Sequence, residues 1–192
     1  YRLRSPRDAK DEDGKDIERG WTTVLAESRD GFSFAERGRF GKELFTAASV
    51  EKCTPLHTED GRLALYVSYA SARDDETKGM WCIDRIVADS AEALGGASQG
   101  LEGIRRPQAG PALPDGWIVT GVKAPCVLVD EAGNAFMDGR YHMIVSCAKA
   151  PADLAAPIHE EADCYNSGQI LSASAYLTSE DGVHFTWQGE IL

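Results

Sequence analysis

The sequence of 192 residues has no apolar run approaching the ~18 residues needed to cross a membrane as a helix, and no charged-then-apolar leader opens it. It also lacks any CxxC pair. Its five cysteines, at 53, 82, 126, 147 and 164, are an odd number with no histidine at metal spacing. That argues against both a disulfide framework and a structural zinc site. Cys82, Cys126 and Cys147 interrupt apolar, strand-like runs and read as small buried hydrophobes. Basic residues are in the minority, 20 against 31 acidic ones for a formal charge of -11, and they are scattered rather than striped. Phosphate neutralisation needs clustered cations, so nucleic acid is not the expected partner. A soluble chain with no membrane partner is expected, cytoplasmic or secreted.

Helical periodicity is nearly absent as well. The strong segments are short, β-rich and bounded by Gly, Asp, Asn and Pro: WTTVLAES (21 to 28), LALYVSY (63 to 69), MWCIDRIVADS (80 to 90), GWIVTGV (116 to 122), CVLVD (126 to 130), YHMIVSC (141 to 147) and ILSASAYLTS (170 to 179). They predict an all-β protein. The Asp-Gly pairs at 30 to 31, 60 to 61, 138 to 139 and 181 to 182 predict type I′ hairpin turns, whose two central positions both need positive φ. The polar stretches 8 to 20 and 150 to 169 are long for simple connections and are candidates to rim a pocket.

What is present in quantity is repetition. SRDGFSF (28 to 34) returns as SEDGVHF (179 to 185), 151 positions later, with a degraded copy inside ADSAEALGG (88 to 96). GRLALYVS (61 to 68) matches GRYHMIVS (139 to 146) without a gap, at a spacing of 78. Upstream lie Lys52 and Pro55 in one case, Lys123 and Pro125 in the other. VLAES (24 to 28), IVADS (86 to 90) and YLTS (176 to 179) end alike. The unit is thus a Pro strand, a Val-Ser strand, a strand ending in Ser, an Asp-Gly turn and an aromatic strand, with Phe34 or Phe185 packing between sheets.

Four strands per unit with variable insertions is how a β-propeller blade is written. Residues 1 to 49 hold half a blade, 50 to 115 a second and 116 to 192 a third. About two and a half blades do not close a ring of at least four. With Tyr1 in place of Met, part of a larger domain is expected.

The whole pattern, Pro-x-Val/Leu, then Gly-Arg-Tyr-His-Met-x-x-Ser, then Ser-x-Asp-Gly-x-x-Phe/Trp, resembles the blade repeat of the five-bladed β-propeller glycosidases, glycoside hydrolase family 43 and its relatives. The resemblance implies an enzyme hydrolysing O-glycosidic bonds of oligo- or polysaccharides, inverting, with paired carboxylates. It implies a carbohydrate substrate and no organic cofactor, with a central calcium ion allowed. An inverting enzyme needs a general acid and a general base with room for a water. The family carries a Glu a few residues ahead of a Pro. The matching position is Glu51 in VEKCTPL, which the resemblance makes the general acid. Outside the repeat, Glu51 is an ordinary glutamate at a loop–strand junction.

In the next unit Lys123-Ala124-Pro125 supplies no carboxylate. Lys123 is therefore expected to bind substrate or phosphate, or to pair with Glu51, and the base must come from another blade. Asp84 and Arg85 interrupt an apolar strand, where opposite charges are tolerated only when paired. They are candidates for a structural ion pair or a substrate contact. His142 and His57 are candidate substrate contacts, with a hydrogen-bonded core histidine as the plainer role. Trp21, Trp81, Trp117 and Trp187 can stack on sugars or fill the core. Two rivals follow: a phosphorylase with Lys123, Arg85 and His142 on phosphate, and a non-catalytic sugar-binding propeller.

Overall fold

The computed structural model describes residues 2–4, 21–58, 60–71, 80–96, 98–99, 117–151 and 171–191. Extended, β-branched and aromatic-rich segments pair with their sequence neighbours, so three antiparallel sheets follow one another along the chain. Sheet one holds β1 (Arg2–Arg4), β2 (Trp21–Glu27) and β3 (Ala35–Gly41). Sheet two runs in order through β4 (Ala47–His57), β5 (Leu63–Ser71), β6 (Trp81–Ala88) and β7 (Ser98–Gln99). Sheet three has the spatial order β12-β11-β10-β8, from β8 (Trp117–Val127), β10 (Arg140–Pro151), β11 (Leu171–Ser179) and β12 (Thr186–Glu190), while β9 (Phe136–Met137) pairs with β10. No α-helix occurs among the described residues, and no helix there is long and apolar enough to cross a membrane. The chain is all-β. The predicted rim loops, 8 to 20 and most of 150 to 169, lie outside the described residues.

Sheet two is the middle layer. Alternate side chains of a strand face opposite sides, and β5 is buried along its whole length. Leu63, Leu65, Val67 and Tyr69 join Phe40, Phe45, Val50, Cys82, Ile86 and Leu94 in a core against sheet one. On the other face Tyr66 and Ile83 join Val119, Val122, Met143, Val145 and Leu177 of sheet three. GWIVTGV and CVLVD prove to be parts of one edge strand, β8, which packs on β4, β5 and β6.

The two Ser-x-Asp-Gly copies are the same structure twice. Ser28 Oγ accepts from Gly31 N at 2.9 Å, and Asp30 Oδ1 accepts from the N–H groups of Phe32 and Ser33. Ser179 Oγ likewise accepts from Gly182 N at 2.9 Å, and Asp181 Oδ1 from Val183 and His184. In each the Gly is left-handed, at φ 77° and 71°. In the degraded copy Glu92 replaces the Asp and still meets the Ser90 hydroxyl. Of the four predicted type I′ turns only Asp138-Gly139 qualifies, because Asp138 alone among those aspartates has positive φ. The two Ser-x-Asp-Gly turns are side-chain-bonded, with the Ser hydroxyl and the Asp carboxylate taking over the backbone donors, whereas at Asp60-Gly61 the Gly61 N–H goes to the Thr58 carbonyl and the Thr58 hydroxyl donates to Asp60 and to the Arg62 carbonyl.

Phe185 meets Tyr66 edge-on at 5.8 Å, between sheets two and three. Phe34, expected to do the same, is 64% exposed, since among the described residues no ring covers it as Tyr66 covers Phe185. Cys82 and Cys147 are buried as read from the sequence. Cys126 is exposed, because edge strand β8 leaves it facing away from the core; Cys164 lies outside the described residues. Burial raises the thiol pKa of Cys53 and Cys147, so neither is an activated thiolate.

Sheet one approaches sheet two so closely at Gly38 that an added Cβ would overlap the Ala91 carbonyl oxygen. Replacing Gly38 by Ala is therefore expected to destabilise by about 2–3 kcal/mol, through forced backbone movement, with a lower urea midpoint and an unchanged slope; a neutral Gly38→Ala would show that the approach is not tight. The Asp turns predict an acid limb. The backbone N–H groups of Ser33 and Phe32 hold Asp30 below the usual carboxylate range. At Asp181 partial burial works upward, but bonds from His184, Val183 and Ser179 outweigh it and the net shift is downward. Depressed folded values mean that this stabilisation is present above about pH 4 and lost as pH falls below it. Asp181→Ala is expected to cost about 1–2 kcal/mol at pH 7 and to show a shallower loss of thermal stability below pH 4 than the parent chain. Equal acid limbs would rule the turn out as the source.

Candidate functional site

The first-strand ladders of sheets two and three each carry two register shifts, and one shift in each lies beside a candidate residue. In sheet two the ladder passes from Val50↔Tyr69 to Cys53↔Val67, so Glu51 and Lys52 together oppose the single residue Ser68. In sheet three it passes from Ser146↔Lys123 to Ile144↔Cys126, so Ala124 and Pro125 oppose Val145. Each is a β-bulge, a device that bends a strand and re-aims its side chains. Pro125 has no N–H for the ladder. Ala124 has φ 52°, in the left-handed region that L-alanine rarely adopts.

Ser68 and Ser146 hold the same place in the two gapless repeats. Ser68 lies across from Glu51 and Lys52, and Ser146 across from Lys123. The register thus puts the predicted acid and the predicted cation at matching levels of consecutive sheets. β4 and β8 also touch: Thr54 Oγ1 donates to the Pro125 carbonyl at 2.5 Å. Ala124 N donates to Ser68 Oγ at 2.7 Å. Glu51 is half-buried. Lys123 sets its Nζ 5.3 Å from the centroid of Trp81, a cation held on an aromatic face. Trp81 is 2% exposed and wedged beneath Gly121, where an added Cβ would lie 3.2 Å from the Trp81 Cβ. A carboxyl group thus stands on one bulge and an ammonium group immediately before the other.

The other candidates are dispersed. Asp84 and Arg85 are neighbours on β6 and so point to opposite faces, which corrects the idea of an ion pair between them. Asp84 is fully buried and accepts from Tyr69 Oη at 3.0 Å, in the core against sheet one. Arg85, paired across the ladder with Tyr66, faces sheet three, and its buried Nε has no hydrogen-bond partner. His142 lies on the far face of sheet three, opposite Tyr141 and Met143. Its ring meets Tyr176 Oη at 2.6 Å and the Met137 carbonyl at 3.1 Å. It is a hydrogen-bonded structural histidine, away from Arg85 and Lys123. His57 is exposed at the end of β4, six residues or about 20 Å along the strand from Glu51. Trp187 packs at the edge of the sheet-three core, and the side chains of Trp21 and Trp117 lie outside the described residues.

Three contributors are not singled out by the sequence reading: Thr54, Ser68 and the left-handed Ala124. The shared serine of the repeats was the available signal for Ser68. Nothing local announces Ala124, because alanine has no turn preference. An open groove of about 360 Å³ is lined by Arg140, Thr178, Asp181, His184 and Gln188, and another of about 280 Å³ by Thr22, Arg39, Phe40 and Leu44. Neither includes Glu51 or Lys123. Among the described residues no three His, Cys, Asp or Glu side chains gather to hold a metal. No family model, curated protein or solved structure matches the chain.

Proposed function

We propose that the three sheets are blades of a five-bladed β-propeller and that the protein is a glycoside hydrolase, with Glu51 as general acid. The observation that carries the proposal is the pair of bulges on β4 and β8, one ladder position apart in the repeat, with Glu51 opposite Ser68 on one and Lys123 opposite the equivalent Ser146 beside the other. Consecutive antiparallel sheets, the second and third of which begin with a Pro-containing strand, and twin Ser-x-Asp-Gly turns before the last strand of the first and third support the blade reading. On this reading 1 to 49 is the outer part of one blade, and 50 to 115 and 116 to 192 are two more. The half-buried Glu51 protonates the leaving oxygen, Lys123 contacts a substrate oxygen, and an acid from a further blade activates water for inversion. Arg85 and His142, on separate faces, do not form one phosphate site with Lys123, which disfavours the phosphorylase alternative. The lysine in place of a second acid favours one rival instead, a sugar-binding propeller without turnover.

Protonation of the leaving group matters most when that group is poor. Glu51→Gln is therefore expected to slow hydrolysis of alkyl or sugar glycosides by about 10²–10⁴-fold while sparing dinitrophenyl glycosides far more. Equal rates for parent and variant on both substrate types would remove Glu51 from the role. Calorimetric sugar binding with no hydrolysis across a glycoside panel would replace the hydrolase reading by the binding one.

A further inference from the structure

We infer that the Ser68 hydroxyl is a positioning group that locks the Lys123–Ala124–Pro125 bulge of β8 against sheet two and thereby holds Lys123 on Trp81. The bulge cannot hold itself. Ala124 is in a left-handed conformation that crowds its own Cβ and persists only where surroundings impose it. Pro125 offers no N–H, and the β8–β10 ladder is broken at this point. What β10 does not supply, sheet two does. Ser68, with no exposed surface, takes the Ala124 N–H at 2.7 Å, and Thr54 donates to the next carbonyl, that of Pro125. The two clamps grip consecutive residues of the bulge from one side. Lys123 immediately precedes the gripped pair, and its ammonium lies over Trp81 of the same sheet that provides the clamps.

Ser68 also sits across the ladder from Glu51 and Lys52. One buried hydroxyl is therefore bonded to one bulge and registered on the other. The bulges are thus linked through Ser68 as well as through the direct Thr54–Pro125 bond. This consequence for Glu51 rests on the glycosidase reading; the lock itself does not.

The test uses four variants of the 192-residue chain: Ser68→Ala, Ser68→Thr, Ala124→Gly and the Ser68→Ala/Ala124→Gly pair. Glycine adopts the left-handed conformation without strain, so it needs the clamp less. Ser68→Ala is expected to lower Tm by about 3–6 °C, but by less than half as much in the Ala124→Gly background. The second readout is the side-chain resonances of Lys123, which the Trp81 ring shifts away from free-lysine positions. They should move towards those positions in Ser68→Ala and return in Ser68→Thr. Equal Tm losses in the two backgrounds, or Lys123 resonances unmoved by Ser68→Ala, would overturn the inference. Both readouts are independent of turnover, so their failure is distinct from that of Glu51→Gln.

Discussion

Everything in the structure leans on a strand that is buried along both faces. All nine residues of β5, Leu63 to Ser71, are shielded from solvent, which requires a layer on either side of sheet two. Its odd-numbered side chains complete one core and its even-numbered ones face the other. A strand so placed cannot keep its polar groups solvated, and each unmade bond would cost about 1–3 kcal/mol. Its hydroxyls are accordingly spent on specific partners. Tyr69 Oη donates to Asp84 within the sheet, Tyr66 Oη to the Gly182 carbonyl, and Ser68 Oγ accepts from Ala124. Burial also raises the Tyr66 phenol above its ordinary value, which keeps it a donor. Two of these three bonds cross to sheet three, so the polar atoms of the most buried strand fix how the next sheet sits.

The two joints solve the same packing problem with different chemistry. Sheet one comes up to sheet two by backbone approach at Gly38, with Leu94 filling the core where the degraded turn has lost its Asp-Gly. Arg37 and Glu92, both largely exposed, flank it at 4.0 Å and add little. Sheet three instead uses hydroxyl clamps, a second glycine approach at Gly121 and the Phe185–Tyr66 pair. A repeat can thus preserve strand order and turn geometry while its interfaces diverge.

That divergence marks how far the sequence could be read. The order of elements was legible because gapless repeats and paired Ser-x-Asp-Gly turns are local in the chain. Type I′ geometry was over-read: Asp-Gly alone does not reveal that Ser28 and Ser179 hydroxyls satisfy the turn and leave the aspartates at negative φ. The Asp84–Arg85 pairing failed for a simpler reason, since strand alternation separates neighbours to opposite faces. Phe34 failed because its repeat partner Phe185 is covered by a residue 119 positions away, Tyr66, and repetition of one side of a contact does not supply the other. At the candidate site, Glu51 and Lys123 were visible through the prolines that follow them. The bulges, which depend on pairing register, were not.

Opposite charges at matching ladder levels of β4 and β8 are the feature that any function must accommodate. A chain of formal charge -11 has acid to spare, yet it places Lys123 on Trp81 at the level where sheet two presents Glu51. An ammonium on an aromatic face and beside a strained backbone is a constrained group, more so than a solvated lysine. The backbone that carries it is held by the Ser68 and Thr54 hydroxyls, so the place of the ammonium depends on sheet two and not on β8 alone.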